Sequence, residues 1–417
     1  MKFVAIIISA VLALFGFAGG GGSDSGGGGS DFGGSSSWSS SDSDYTSEGG
    51  DIWILIVAVT IVVVAVFLDK LASRRRISKR DIAVMNANSH ESPQEKNIRE
   101  QAEQIFRTYQ DDWSNFNFQN ISSYTTPEYY QHASLMLELL QSMHRVNKVS
   151  QLSVEGAYVM ASVKDDTPLP VNLRVKIYFS GLDEVIDTQT SDILYSDFAK
   201  NIHETWSFIY DGKSLKLAGI SQPTESASHL VRSLADFASQ NKLFYSPDWG
   251  RHALPTRGLI FSNASIKTSD VNNHIIGKWG DLLIQIYTYS EIPGDPSTYY
   301  LVGQISLPKS YKGVIVKSKQ SKSKVYRRID KSYEKFELEW PDFNKRYEVY
   351  AASADALPAF ELLNPKFMEL LYGKNPEYSL EVADNSIYIF MNNKQATEQD
   401  YADLLDVLSA AYQELKQ

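Results

Sequence analysis

The residues of this chain that could do chemistry are few. His203 and Glu204 form the only adjacent histidine–acid pair in the strand region before Trp206. Such a pair moves protons when a pocket brings both groups to one substrate. The plainer expectation is an outward, solvated pair. The seven histidines (His90, His132, His144, His203, His229, His252 and His274) are dispersed. No His-Glu-x-x-His, phosphate-cradling Gly-x4-Gly-Lys-Ser/Thr or Gly-x-Ser-x-Gly pattern occurs. There is no cysteine, which removes thiol nucleophiles, disulfides and thiolate metal sites. The expectation is therefore no catalytic residue, no metal and no cofactor. An enzyme using a His/acid site is the alternative.

Basic residues cluster in two places. Lys70, Arg74, Arg75, Arg76, Lys79 and Arg80 follow Ile52–Leu68, an uncharged Val/Ile-rich run. At 1.5 Å per residue that run spans about 25 Å as a helix, slightly short of a hydrocarbon core of ~30 Å. Trp53 sits where an interfacial aromatic belongs. A single transmembrane helix is expected at 52–68. Lys2, the apolar run Phe3–Phe17 and Ala18 read as a signal peptide over 1–18, an uncleaved anchor being the other reading. The Gly/Ser-rich residues 19–51 are expected to be a disordered exported segment. The positive-inside rule then puts the N-terminal segment outside the membrane and the remainder in the cytoplasm. The six basic side chains are candidates for contact with anionic lipid. The second cluster, Lys309–Lys335, reads as a hairpin with a solvated Lys-rich face, or as a patch for anionic lipid or an acidic protein. The overall net charge of -10 and pI of about 5.3 argue against nucleic acid as a partner.

These groups need elements to position them. Residues 69–97, polar and containing Pro93, read as a basic juxtamembrane segment and linker. Ile98, Ala102, Ile105, Phe106, Tyr109 and Trp113 then recur at helical spacing. Thr126 caps a second helix and Pro127 suits its first turn. Tyr130, Ala133, Leu137, Leu140 and Met143 share its buried side. From Val149 the period is two. Val171, Leu173, Val175, Ile177 and Phe179 alternate with Asn172, Arg174, Lys176 and Tyr178. Thr205–Tyr210 and Leu215–Ile220 are joined by Asp211-Gly212, a hairpin signal. Two helices followed by about four antiparallel strands predict an α+β unit over 98–224.

The helix with Phe106 and Trp113, the element Tyr124-Thr125-Thr126-Pro127-Glu128-Tyr129 and the strand Val171–Phe179 carry a resemblance. With Glu204-Thr205-Trp206-Ser207-Phe208 and Leu217-Ala218-Gly219-Ile220, they resemble the Tim-forty-four-like domain of the nuclear-transport-factor-two-like superfamily. The resemblance covers about residues 95–224. It departs from the family where Leu215 and Leu217 stand in place of a frequent tryptophan. Bacterial members share the layout of signal segment, Gly-rich stretch and membrane helix ahead of the domain, which implies a bacterial cell-membrane protein. The resemblance further implies a cone-shaped helix-plus-sheet fold that binds a polypeptide segment, a lipid or an apolar ligand. Trp113, Tyr130, Leu137, Met143, Trp206 and Phe208 are the candidate pocket linings, or ordinary core if the cone is filled. Membrane lipids and a protein at the membrane are the expected partners.

Residues 225–417 predict a second, β-rich α+β domain. A helix over Ser228–Asn241 leads to strand-like runs at Leu259–Phe261, Leu282–Tyr289, Tyr300–Ile305, Val314–Val316, Phe336–Trp340 and Tyr347–Tyr350. A short helix near Pro365–Leu371 and strands at Tyr378–Val382 and Ile387–Met391 follow. Thr397 and Asp400 form a capping box for a C-terminal helix. The expected fold class is α+β, a single transmembrane helix followed by the cone-shaped domain and this second domain. The expected role is a membrane-tethered binding or scaffold protein; a purely structural envelope protein is a further alternative.

Overall fold

The computed structural model describes residues 91–160, 167–221, 231–247, 258–261, 271–290, 299–321, 329, 331–392 and 396–416. The first described helix, α1 (Pro93–Ser114), opens on a reciprocal cap. Ser92 Oγ accepts from the Glu95 amide, Glu95 Oε2 accepts from the Ser92 amide, and Pro93 takes the first turn, where a missing N–H costs nothing. Residues 93–97, read as linker, are therefore helix. α2 (Phe118–Tyr124) is a short connector, and α3 (Pro127–Ser142) is capped by Thr126, as its sequence requires. Ile98, Ala102, Phe106, Tyr109 and Trp113 bury one face of α1; Ala133, Met136, Leu137 and Leu140 bury one face of α3.

Both faces close on an antiparallel sheet of β1 (Arg145–Val159), β2 (Val171–Asp187), β3 (Ile193–Tyr210) and β4 (Leu215–Ser221), in the order β1-β2-β3-β4. The β2–β3 register sets Leu173 opposite Phe208, Val175 opposite Trp206 and Ile177 opposite Glu204. Period-two alternation turns this set toward the helices, into one core. The β3–β4 turn falls at Asp211-Gly212, with Gly212 at φ 96° and the Asp211 carboxylate accepting from the Lys213 and Ser214 amides.

A second sheet contains β5 (Phe244–Ser246), β6 (Val271–Trp279), β7 (Leu282–Ser290), β8 (Tyr299–Ser318), β9 (Tyr333–Phe336), β10 (Tyr347–Ala352) and β11 (Ser379–Asn392). β8 is its spine. β11 pairs along almost its whole length, while β7 takes the N-terminal half and β10 the C-terminal half of the opposite edge. One face of the sheet is covered by α4 (Arg232–Gln240), α6 (Ala356–Leu362), α7 (Pro365–Gly373) and α8 (Glu398–Leu415); α5 (Pro341–Arg346) adds Phe343 to the same core. The other face is aromatic, with Tyr287, Tyr289, Tyr300, Tyr388 and Phe390 packed against Phe261 and Ile260. Ile286, Leu301 and Ile389 alternate with them into the helical side. Gly303 is required where α8 crosses the spine, because a Cβ there would lie 2.0 Å from Leu404 Cδ2.

The two sheets belong to one compact unit and meet at a polar seam. Ser142 Oγ lies 3.0 Å from Ser306 Oγ, and Asn385 Nδ2 donates to the Ser142 carbonyl at 3.0 Å. The Gln285 and Gln304 amides reach Met143 Sδ at 3.9 and 4.0 Å. His132 stacks on Phe244 with ring centroids 5.0 Å apart, and His274 Nε2 lies 2.9 Å from Gln285 Oε1.

Several expectations are corrected. Among the described residues no helix is long and apolar enough to cross a membrane. The fold class that the described residues show is therefore helices on antiparallel sheets, and the expected transmembrane helix is not shown among them. Ile52–Leu68 lies outside the described residues, as do the signal segment 1–18, the Gly/Ser stretch 19–51 and the basic cluster Lys70, Arg74, Arg75, Arg76, Lys79 and Arg80. Leu259–Phe261 is a 3-10 turn whose Leu259 and Ile260 amides donate to the buried Glu381 carboxylate. The Lys309–Lys335 region is not a simple hairpin: β10 lies between β8 and β9. Within it Lys317 and Lys335 both pair with Glu348, at 3.2 and 2.8 Å.

Candidate ligand-binding cleft

Glu204 sits two residues before Trp206 on β3, so the two side chains share the face that looks into the first core. Trp206 is 0% exposed and Glu204 only 7%. Trp206 Nε1–H donates to Glu204 Oε2 at 3.0 Å, which fixes the carboxylate from behind. α1 brings Tyr109 and Trp113 to the same place, four residues apart and thus one above the other on one helix face. The Tyr109 ring meets Trp206 edge-on at 5.5 Å and lies 5.7 Å from Trp113. α3 adds Tyr129, whose hydroxyl donates to the Tyr109 oxygen at 3.0 Å.

A cleft of about 120 Å³ opens among these groups. Its floor is buried: Tyr109, Trp113, Tyr129, Asn147, Phe179 and Glu204. Its rim is half-buried and includes Gln110, Val149, Asp183, Ala199, Ile202 and Ile220. Asn147 ties rim to floor. Its Oδ1 accepts from Trp113 Nε1–H at 3.1 Å, and its Nδ2 donates to Asp183 Oδ1 at 2.6 Å and to the Glu184 carbonyl at 3.2 Å. Behind Trp113, the Asp112 carboxylate accepts from Asn117, Asn120 and Tyr124, locking α1 to α2.

Burial, above all, holds the Tyr109 and Tyr129 phenols protonated well above their ordinary range, and the Glu204 charge adds to this for both. The cleft thus offers aromatic rings, neutral phenols and two carboxylates. Among the described residues lining it there is no Lys, Arg or His. No group of His, Asp and Glu able to hold a metal occurs among the described residues.

Of the six candidate pocket residues, Trp113 lines the cleft and Trp206 backs it through Glu204. Leu137 and Phe208 are core, Tyr130 is half-buried at the edge of that core, and Met143 turns to the seam. The expectation for the His203–Glu204 pair is half corrected. His203 is half-buried, with its ring 5.4 Å from Tyr178, a residue of the opposite register position on β2, whereas Glu204 turns inward. The strand separates the pair instead of joining it. The signal was present in the sequence: a strand that buries Trp206 and Phe208 also buries Glu204, which shares their parity.

Comparison with known proteins adds the following. Residues 301–415 match a family model described as "Protein of unknown function (DUF3137)". That stretch holds most of β8, all of β11 and α8, and lies outside the residues that resemble the Tim-forty-four-like domain. No curated protein matches the chain. Among solved structures, the chain is similar to the mycobacterial trehalose monomycolate transport factor A, TtfA, at 13% identity and a TM-score of 0.34. The similarity covers 44% of this chain and 93% of that one.

Proposed function

We propose that the lobe built from α1–α3 and β1–β4 is a non-catalytic binding module, of the Tim-forty-four-like kind, that holds one small terminus of a partner molecule in its cleft. The carrying observation is the cleft itself, a space of about 120 Å³ floored by buried rings and a buried carboxylate. It is smaller than the roughly 300–1,000 Å³ that encloses a drug-sized ligand. It suits a side-chain end or a headgroup, with the rest of the partner lying outside across the half-buried rim. Proton transfer by a His/acid pair finds no support here, because His203 and Glu204 leave opposite faces of β3.

Titration of the full chain with an acyl-chain amphiphile, a neutral peptide and a basic peptide tests the reading. The Trp113 indole N–H resonance serves as the reporter. A saturable shift with at least one probe, abolished by Val149→Trp at the rim, is expected. No saturable shift with any probe, or a shift that survives Val149→Trp, overturns the proposal.

A further inference from the structure

We infer that the ligand of this cleft is an extended polypeptide segment, which adds as a strand beside β3 and sends one side chain into the cleft; this rests on the binding-module reading above. β4 pairs with β3 only over Thr205–Tyr210. From Ser196 to Ala199, β3 pairs with β2 on one side, and among the described residues no strand lies on the other. In an antiparallel ladder the backbone groups of alternate residues point to opposite edges. Half of the N–H and C=O groups of this stretch therefore face outward, in line with β4. Edges of this kind are usually blunted by lysine, proline or a bulge. Ser196–Ala199 carries none of these; Lys200 follows, in the register shift before Ile202.

The same stretch is part of the cleft's rim. Ala199 and its register partner Gly181 both line the cleft, as does Asp183, the partner of Asp197. Residues opposite one another share a face of the sheet, so Asp197 and Ala199 look to the cleft side and Phe198 to the other. Phe198 is 51% exposed and stands opposite the half-buried Leu182. A strand laid here meets three different environments in three successive residues. The residue opposite Ala199 points its side chain at the cleft, past Ala199 and Gly181, which have almost no side chain to bar it. The next lies on Phe198, where an aliphatic or β-branched side chain covers exposed apolar surface. The third stands beside the exposed Asp197, which favours lysine or arginine. Main-chain hydrogen bonds to an open edge give such a segment its affinity, and alternate side chains give its specificity. A lipid or small amphiphile has no row of backbone donors and acceptors to meet this edge.

The probe is acetyl-threonine–leucine–valine–lysine–threonine amide, titrated into the full chain. Run antiparallel to β3, it sets leucine opposite Ala199, valine opposite Phe198 and lysine opposite Asp197. Amide hydrogen exchange of Ser196–Ala199 is the first readout. In the free chain alternate amides should exchange fast, and saturation with the peptide should slow these by at least about tenfold. Two N-methylated peptides give the second readout, one methylated at valine and the other at leucine and lysine. Their blocked N–H groups point to opposite sides of the added strand, so one should lose at least about tenfold in affinity and the other little. Phe198→Lys and Asp197→Lys, both at exposed positions, should each weaken the parent peptide by about three- to fivefold at unchanged stability. Edge amides already slow in the free chain overturn the inference, because the chain itself or a second copy then fills the slot. So do edge amides unmoved at saturation, N-methylated peptides that lose equally or not at all, and an affinity unmoved by both variants. If the acyl amphiphile shifts the Trp113 indole N–H, Val149→Trp abolishes that shift and no peptide slows the edge, strand addition fails while the binding-module reading stands. No saturable shift with any probe removes both.

Discussion

Trp206 donates its indole N–H to Glu204 two residues away on the same strand face, at 3.0 Å. The largest fully buried side chain in the first core therefore also anchors the carboxylate of the cleft. Truncating a buried tryptophan typically costs ~3–5 kcal/mol, against a domain stability of ~5–15 kcal/mol. Trp206→Ala should lower the denaturant midpoint of the full chain severely. Trp206→Phe keeps most of the packing and loses the donor, so it should cost about 1–3 kcal/mol and loosen Glu204. Equilibrium unfolding of both variants checks this; a Trp206→Phe variant as stable as the native chain would show that the indole N–H contributes nothing.

The seam histidines make stability fall with acid. Burial, and for His132 the neighbouring His274, lowers their pKa values from 6.5 to about 3 for His132 and about 4 for His274. The unfolded chain therefore takes up protons first. The stability that depends on neutral imidazoles is fully present above about pH 6.5 and is lost as pH falls through this window toward about 4 and about 3. For His274 the full effect is about 3 kcal/mol. Unfolding midpoints measured between pH 7.5 and 4 should drop in the native chain and drop less in His274→Gln. An unchanged slope in that variant would remove His274 from the account.

The seam also makes the first lobe dependent on the second. Ile276 of β6 belongs to the first core, and Lys278 pairs with Glu138 at 2.9 Å. A fragment of residues 91–224 should fold cooperatively on its own core, yet unfold at lower denaturant than the same lobe in the full chain. The indole N–H resonances of Trp113 and Trp206, resolved from those of the other tryptophans, follow both. A fragment as stable as the full chain would show the seam to be energetically neutral.

Gly303 permits α8 to touch the spine strand. Gly303→Ala places a methyl against Leu404 and should cost about 1–3 kcal/mol by overpacking. In a Leu404→Ala background the same substitution should cost less, because the clash is gone. A double-mutant cycle by chemical denaturation measures the coupling; additive losses would place the strain elsewhere.

Much of this architecture is legible in the residues. The caps at Thr126 and Thr397, the Asp211-Gly212 turn and the alternation from Val171 to Phe179 each act over a few residues, so local rules suffice. Ser92-Pro93-Gln94-Glu95 carries the same kind of signal, but its proline draws attention as a breaker when it in fact occupies the first helical turn. β6 is hidden because Asn272, Asn273 and His274 interrupt its apolar pattern; Asn273 and His274 are buried polar groups whose partners, Tyr245 and Thr288 for the first and Gln285 for the second, no local rule supplies. The cleft is legible only in part. Parity puts Glu204 with Trp206, but Asn147 and Asp183 join them through the β1–β2 register, which depends on pairing across the sheet.

β8 and β11 meet only after everything between Ser318 and Ser379 has been made. While the chain is being synthesised, the spine strand must wait with one edge unpaired. That edge runs past Leu301, Val302, Ile305, Val314, Ile315 and Val316, all of them buried in the finished fold. An open, apolar strand edge is the surface on which nascent chains pair with one another. Premature termination before residue 379 should thus yield a product that sticks to its neighbours and is removed by quality control, rather than a smaller working protein. Solubility of such truncations, expressed beside the full chain, measures how far residues 379–417 act as a guardian of the strand before them.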